Sequence, residues 1–308
     1  MILGENIDSV YSEGREIQRV FSKGMLVWEK EPIDYSIIPF TVKAIDGGAS
    51  VWMGKRDPNT GKTIKVDIKY SINNGKWIEG NGITIKLKKN DKVSIITNDI
   101  DYLTVSGDRY WNGEKYVYAV SDIYGNIMSL IYGDDFIGQT VWTERTGYYV
   151  NSSFFNGDIR NAKNLILPAT TLSKNAYNSM FFGMISLITA PALPATTLSE
   201  GCYASMFYGC TNLVKAPVLP ANTLVKGCYG GMFANCTSLN YVKCYATEFA
   251  TDSIDEVITY YDDENKVWVE SNKWLAYIKT NGTLVCKESF ANTLKKYIPS
   301  TWKVEYFT

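Results

Sequence analysis

Hydrophobic and polar positions in the second half of the chain recur with a fixed period. The block Leu-Pro-Ala-Thr-Thr-Leu at residues 167–172 returns at 193–198, and again at 219–224 with asparagine in its fourth position. Each copy begins 26 residues after the one before it, without insertion. A fixed period in the twenties is typical of solenoids, and this length belongs to the leucine-rich class. The pattern therefore predicts a short leucine-rich-repeat solenoid over residues 136–245.

Each repeat unit is predicted to contain a short strand, a turn and a helix. The two prolines of residues 216–220 favour extended backbone. The apolar residues that follow the block stand at i, i+3, i+4 and i+7, the spacing of one helix face: Tyr203, Met206, Phe207 and Cys210. Gly209 then supplies the left-handed residue that ends such a helix. The equivalent residues of the neighbouring units are predicted to share the core: Tyr177, Met180, Phe181, Tyr229, Met232 and Phe233.

Short strands dominate the region between residues 35 and 135. Hydrophobic and polar residues alternate over 64–70 and over 83–88, and Asn-Asn-Gly at 73–75 marks a turn. Alternation of this length between turn signals is typical of half-buried antiparallel strands. The region is predicted to be an antiparallel β-sandwich, which makes the whole chain a mixed β and α/β protein.

Residues 1–30 contain a second, shorter repeat. Ile-Asp-Ser-Val-Tyr-Ser-Glu-Gly at 7–14 is followed ten residues later by a similar segment at 17–24. Two short strands of this kind bury too little to fold alone, so we predict that this β segment attaches the chain to a larger assembly. The alternative is an extra strand pair on the domain that follows. The predicted assembly residues are Val10, Tyr11, Val20, Phe21 and Trp28.

The repeat period ends after Leu239, and residues 246–308 are predicted to cap the solenoid. Within this cap we expect the start of a helix at 251–257, a hairpin at 260–269 and a closing strand at 302–307. The carboxylates at 262–264 are suitable ligands for Ca²⁺, but we interpret them as a tight acidic turn. Asp134 and Asp135 are interpreted in the same way, and not as a catalytic pair of carboxylates.

Composition narrows the classes of function. The chain has 31 Lys and Arg against 32 Asp and Glu, so no basic field favours nucleic acid or an anionic membrane. It has no histidine, which excludes Ser-His-Asp and Cys-His triads and the commonest transition-metal ligand. It also has no uninterrupted apolar run of the length that spans a membrane. We therefore expect a protein without enzymatic activity or cofactor, and a glycan-active enzyme is disfavoured.

Six cysteines are present, all between residues 202 and 286. Cys202 and Cys228 stand one repeat apart, as do Cys210 and Cys236, so they occupy equivalent positions in adjacent units. Buried thiols pack as small apolar groups. We predict free, buried cysteines, and leave disulfides or a metal site as the alternative.

The repeat units resemble the BspA-like leucine-rich repeats of gut-bacterial surface proteins and their phages. The resemblance rests on the Leu-Pro-Ala-Thr-Thr-Leu block, on Cys-Tyr-x-x-Met-Phe and on the Ala-Pro pairs. It extends over residues 35–308, since 125–136 resembles that family's lead-in, and 274–275, 282–285 and 298–302 resemble its closing segment. The N-terminal segment is similar to those of phage tail and fibre proteins. Together these resemblances imply an interaction scaffold.

We therefore expect a virion structural protein of a phage, a tail or fibre component that mediates protein–protein or host-surface attachment. A bacterial cell-surface adhesin with the same repeats is the alternative. The first residues lack the basic and long apolar regions of a secretory signal, which favours the virion. The expected partners are other virion proteins through the N-terminal segment, a host surface protein or glycan, and further copies of the chain in a homo-oligomer.

Candidate binding residues are those that differ between otherwise similar units, because a repeat scaffold displays variable side chains on a constant frame. These positions are Lys174, Glu200, Tyr208, Lys215 and Lys226. Among them we predict that Tyr208, Lys215 and Lys226 contact the partner, with Tyr208 as the anchor. Trp268 on the predicted C-terminal hairpin is a further candidate.

Overall fold

The computed structural model contains two compact units, residues 1–34 and 35–308. It describes residues 10–12, 15–17, 19–22, 25–29, 33–56, 60, 62–64, 66–80, 82–98, 103–111, 113–114, 116–142, 155–156, 158–250, 258–262, 267–271, 274–275, 278 and 281–307.

The first unit contains two antiparallel hairpins. Strand β1 (Val10–Ser12) pairs with β2 (Arg15–Ile17), and β3 (Arg19–Ser22) pairs with β4 (Met25–Glu29). In the second hairpin Val20 faces Trp28 and Phe21 faces Leu26, so the register shifts between Val20 and Phe21. The two predicted strands are therefore present as four, and the predicted assembly residues lie on β1, β3 and β4.

Residues 35–166 of the second unit form most of the sheet structure. Its strands, in chain order, are β5 (Thr41–Ala44), β6 (Ala49–Met53), β7 (Lys55–Arg56), β8 (Thr63–Ile64), β9 (Ile68–Ile72), β10 (Ile78–Glu79), β11 (Ile83–Leu87), β12 (Lys92–Thr97), β13 (Leu103–Gly107), β14 (Arg109–Trp111), β15 (Tyr116–Tyr118), β16 (Val120–Asn126), β17 (Phe155–Asn156), β18 (Asp158–Asn161) and β19 (Leu165–Ile166). A seven-stranded sheet has the order β10-β9-β12-β5-β16-β18, with β19 also on β16, and a four-stranded sheet has the order β11-β6-β13-β17. The pairs β7–β8 and β14–β15 are separate hairpins. The predicted β-rich fold is confirmed.

One detail of this region differs from the prediction, since the expected strand at 64–70 is divided: Ile64 ends β8 and Ile68 begins β9. Among the described strands, the pairs formed between β5 and β16 are antiparallel, as predicted for residues 35–135. Beyond that range the sheets become mixed, because β18 and β19 pair with β16 in parallel and β17 pairs with β13 in parallel. The parallel pairs arise where the chain enters the repeats and continues alongside β16 and β13.

The two sheets share one hydrophobic core. In β6 the side chains of Ala49, Val51 and Met53 are buried and those between them are half-exposed, which is the alternation of a sheet with one covered face. The same core contains Val42 and Ile95 of the larger sheet and continues into the apolar residues of the repeats. The core is therefore continuous from the sheets to the end of the repeat array.

The predicted helix of each repeat unit is wrong. Residues 200–209 form consecutive turns, and every fourth residue adopts a left-handed φ: Gly201 (62°), Ser205 (52°) and Gly209 (71°). The neighbouring units repeat this at Asn175, Ser179 and Gly183, and at Gly227, Gly231 and Asn235. A right-handed helix cannot contain such residues, whereas glycine, asparagine and serine tolerate a single left-handed position. We call segments 174–184, 200–210 and 226–236 the turn ribbons.

Backbone hydrogen bonds of the ribbons alternate between two directions. Every second N–H closes a turn within its own unit, as from Met206 to the carbonyl of Tyr203 (3.2 Å). The N–H groups between them donate to the next unit, as from Tyr203 to Cys228 (3.0 Å) and from Phe207 to Met232 (2.9 Å). One unit alone would leave these inter-unit donors without an acceptor, so the ribbons stabilise one another.

Equivalent side chains of successive units stack in columns. The rings of Phe181, Phe207 and Phe233 are parallel, with centroids 5.4 and 5.6 Å apart. A second column contains the three repeat tyrosines, and Trp142 and Trp274 pack against its two ends, with centroid distances of 4.6, 5.7, 6.1 and 5.7 Å along the series. The core predicted from the repeats, Tyr177, Met180, Phe181, Tyr203, Met206, Phe207, Tyr229, Met232 and Phe233, is buried as expected.

The remaining elements lie at the C-terminal side of the array. They are β20 (Thr223–Leu224), β21 (Tyr241–Lys243), β22 (Glu248–Phe249), β23 (Ile258–Asp262), β24 (Val267–Ser271), β25 (Thr283–Lys287), α1 (Glu288–Leu294) and β26 (Lys303–Phe307). Strands β21, β25 and β26 form a parallel sheet, and β20 pairs with β22. The predicted hairpin is present as β23 and β24, and the predicted closing strand as β26. The predicted helix start at 251–257 lies outside the described residues.

Short helical turns complete the fold. Single 3-10 turns are formed by Tyr35–Ile37, Ile127–Leu130, Gly133–Asp135 and Lys295–Tyr297. Asp134, predicted to lie in a turn, is in the third of these and forms an ion pair with Lys69. None of the helices within the described ranges is long and apolar enough to cross a membrane.

Candidate binding surface

The sheet of β21, β25 and β26 has one buried face and one outward face. Val242, Leu284 and Cys286 are fully buried, so the residues that alternate with them point outward. The strand register aligns Tyr241 with Thr283, and Thr283 with Lys303. Lys215, from the preceding repeat, forms an isolated parallel β-bridge with Tyr241 through the backbone and extends the same row. Four segments that are distant in sequence therefore contribute to one continuous surface.

We call this surface the lysine–aromatic face. Its ten members fall in three rows across the strands. The first row contains Lys215, Tyr241, Thr283 and Lys303, and the middle row contains Lys243, Val285 and Glu305. The third row contains Tyr245, Lys287 and Phe307. All ten are exposed or half-exposed.

Lysine ammonium groups lie over the aromatic rings of this face. The Nζ of Lys215 is 4.8 Å from the ring centroid of Tyr241. The Nζ of Lys243 is 5.0 Å from the ring of Tyr245 and 5.3 Å from that of Phe307, and the Nζ of Lys287 is 5.4 Å from Phe307. Distances of this size give attraction between cation and ring. Lys215, Lys243 and Lys287 are therefore held in defined positions beside the rings.

The face is electropositive although the chain as a whole is nearly neutral. It contains four lysines and a single carboxylate, that of Glu305. A hydrogen bond with the side chain of Tyr245 raises the pKa of Lys243 above its ordinary value, so this group stays protonated at neutral pH. Cations, rings and hydroxyl groups in one plane can bind an anionic ligand that also offers hydrogen-bonding groups.

Three of the charged candidates from the sequence pair with one another. Glu200 lies between Lys174 (3.0 Å) and Lys226 (3.5 Å), in a column with one residue from each unit. The hydrogen bond from Lys174 is the main cause that lowers the pKa of Glu200. All three side chains are at least one-third exposed, and such surface pairs add little stability. These three residues were candidates because they differ between otherwise similar units. Charge pairing between units is a second explanation of that difference.

Tyr208 also makes contacts within the array. Its ring stacks on Phe182 with the centroids 4.7 Å apart, and its hydroxyl accepts a hydrogen bond from the Nδ2 of Asn235 (2.7 Å). Tyr208 remains half-exposed beside Phe182, which is 37% exposed. The residue is held rigidly, and only part of its surface is open to a partner.

The other predicted contacts lie on elements whose side chains are outside the described structure. Trp268 is on β24, where its backbone faces Tyr261. Val10, Tyr11, Val20, Phe21 and Trp28 are in the first unit, where the pairing of their backbones is described. Of the four predicted binding residues, Lys215 alone belongs to the lysine–aromatic face.

Sequence reasoning missed most of this face. Tyr241, Lys243 and Tyr245 alternate with Val242 and Cys244, which is the period of a half-buried strand. The run Thr-Leu-Val-Cys-Lys at 283–287 has the same alternation. These patterns could have assigned the outward residues of each strand, but the sequence has no local signal that the two strands are neighbours.

The cysteines are buried, as predicted, and all six are free thiols. Burial raises the pKa of Cys228, Cys236 and Cys244 to about 12. The Sγ of Cys210 donates to the carbonyl of Phe181 (3.1 Å), and that of Cys236 donates to Phe207 (3.0 Å). Thiols in this state are poor nucleophiles and act as packing groups. Within the residues that the structure describes, no cluster of three or more Cys, Asp or Glu side chains could hold a metal ion.

Comparisons with known proteins identify no relative of the chain. No protein-family model matches the chain, and neither a curated protein nor a solved structure matches it significantly.

Proposed function

We propose that the protein is a non-enzymatic structural component of a phage virion, a tail or fibre protein that mediates attachment. In this proposal residues 35–135 form a β-sandwich and residues 136–245 a short leucine-rich-repeat solenoid sealed by a C-terminal cap. The first unit joins the chain to other virion proteins, and the lysine–aromatic face meets the host surface.

The observation that supports binding most strongly is how the lysine–aromatic face is held. Its row from Lys215 through Tyr241 to Lys303 runs across paired parallel strands, so backbone hydrogen bonds fix the spacing of the side chains. Behind it, the ring columns and inter-unit hydrogen bonds of the repeats form a continuous packed body. A rigid surface pays little conformational entropy when it binds, which favours a recognition role.

A separate first unit supports the attachment role. Its two hairpins contain only short strands, and such hairpins are marginally stable by themselves. A partner protein would supply the additional burial that they need. The proposal therefore assigns different tasks to the two compact units.

Deletion of residues 1–30 tests this proposal. The truncated chain should unfold at nearly the same temperature as the full chain but should be lost from purified particles, as measured by mass spectrometry of their proteins. Normal incorporation of the truncated chain would contradict the assignment. If the full chain is absent from particles and is cleaved by protease on intact bacteria, the cell-surface adhesin is the correct alternative.

A further inference from the structure

The lysine–aromatic face has a specific pattern of charge. Two ammonium groups, those of Lys243 and Lys287, lie within 5.4 Å of the Phe307 ring centroid, and Lys215 and Lys303 stand at opposite ends of the first row. Lysine acts as a point charge and pairs well with single carboxylates. The cations are separated by rings and hydroxyl groups and do not form a continuous basic stripe.

The remaining groups of the face are hydrogen-bonding ones. Glu305 occupies the middle row opposite Val285, and its ionised carboxylate can only accept hydrogen bonds. Thr283 and Tyr241 carry hydroxyls that both donate and accept, and they lie in the adjacent row. A matching ligand must therefore provide well-spaced negative charges together with hydroxyl donors.

This combination disfavours two other classes of polyanion. Nucleic acid carries a charge on every phosphate, and Glu305 would repel such a backbone laid across the rows. An acidic peptide would bring backbone amides, but the backbone hydrogen-bonding groups of these strands lie in the plane of the sheet, so a peptide laid across the face cannot pair with them. A chain of sugars that bear carboxylates satisfies both requirements, because its hydroxyls can serve Glu305 and its acids can serve the lysines.

We infer that the lysine–aromatic face binds a carboxylated polysaccharide across strands β21, β25 and β26. The carboxylates pair with Lys243 and Lys287, sugar hydroxyls donate to Glu305, and the apolar side of the sugar rings packs against Val285 and the edges of Tyr245 and Phe307. This inference rests on the proposed attachment function and names the chemical class of the ligand.

The test uses isothermal titration of the full chain with a hyaluronan oligosaccharide, in which carboxylated and neutral sugars alternate, and with its methyl ester as the matched uncharged ligand. The ester should bind at least about tenfold more weakly, because it keeps the sugar backbone and loses the charge-assisted contacts. The double variant Lys243→Gln/Lys287→Gln should show a similar loss. The control variant Lys86→Gln/Lys89→Gln removes the same charge from two exposed lysines away from the face and should bind as the wild type does. Thermal unfolding confirms that both variants fold.

Four results would overturn the inference. They are the absence of saturable binding, equal binding of acid and ester, equal loss in the control variant, and tighter binding of a glutamate peptide or an oligothymidylate. The last result would identify the face as a protein or nucleic-acid surface. Particle incorporation and host adsorption are measured separately. Failed sugar binding with intact adsorption therefore rejects the ligand class alone, whereas absence from particles rejects the proposed function.

Discussion

Single residues decide the local structure of the repeats. The spacing i, i+3, i+4, i+7 in Tyr203, Met206, Phe207 and Cys210 fits a helix, but over one unit it fits an exact period of four equally well. The decisive signal is a row of small or turn-forming residues four apart, such as Gly201, Ser205 and Gly209, which the structure places at left-handed φ. The core residues were predicted correctly although the local structure was not, because the helical period and the period of four point the same residues inward.

Substitutions at Ser205 distinguish a ribbon from a helix. Ser205 has a φ of 52°, where the Cβ of alanine is strained. The Ser205→Gly variant should therefore be more stable than the Ser205→Ala variant by about 1 kcal/mol. Asn178, in the equivalent ribbon but outside the left-handed positions, should show the opposite order by about 0.5–1 kcal/mol. Chemical denaturation of the four variants measures both differences. Alanine above glycine at both positions would indicate a helix.

Asp158 provides a pH dependence. Its carboxylate is buried and accepts a hydrogen bond from the N–H of Ser186 (3.1 Å), and burial raises its pKa above the ordinary value of 3.8. The folded state therefore disfavours the charged form. The resulting loss of stability is fully present above the raised pKa, diminishes as the pH falls through it, and disappears below about 3.8.

The variant Asp158→Asn keeps the acceptor for Ser186 and removes the charge. It should unfold at a higher temperature than the wild type at pH 7, and the difference between the two proteins should shrink as the pH approaches 4. Thermal unfolding of both proteins across this range provides the test, and other carboxylates cancel in the comparison. A lower unfolding temperature for the variant at pH 7 would show that the hydrogen bonds of the charged form outweigh its burial.

At the scale of elements, the stacked columns stabilise the repeats. Phe207 is fully buried between Phe181 and Phe233, with ring planes 4° and 3° from parallel. The 26-residue period was sufficient to predict these columns, because equivalent residues of adjacent units must meet when units stack. The prediction missed Trp142 and Trp274 at the two ends of the tyrosine column, since neither tryptophan is part of the period.

Truncation of Phe207 to alanine should cost about 3–5 kcal/mol of stability, from lost burial and the cavity left between two rings. Phe182 is the matched control, because it lies in the equivalent ribbon and stacks on Tyr208 but is 37% exposed. Its alanine variant should lose a much smaller amount. Chemical denaturation of both variants gives the comparison, and equal losses would show that the columns contribute no more than surface contacts.

At the scale of the whole molecule, the sequence predicted the β-rich fold but not the lysine–aromatic face. That face joins Lys215, residues 241–245, residues 283–287 and residues 303–307, and parallel pairing between such distant segments leaves no signature in either segment alone. The candidates chosen from the sequence were instead variable positions inside the repeats, and three of these form ion pairs with one another. The surface proposed for binding thus lies where the periodic pattern ends.

The most direct test of the account is host adsorption by particles that carry the triple variant Lys215→Gln/Lys243→Gln/Lys287→Gln. The matched control carries Lys76→Gln/Lys86→Gln/Lys89→Gln, which removes three exposed lysines away from the face, and mass spectrometry verifies that both chains enter the particles. Because these are three of the four lysines of the face, the triple variant should adsorb at least about tenfold more slowly than the wild type at low salt, while the control adsorbs normally. Wild-type adsorption by stably folded, fully incorporated triple-variant protein would contradict the account.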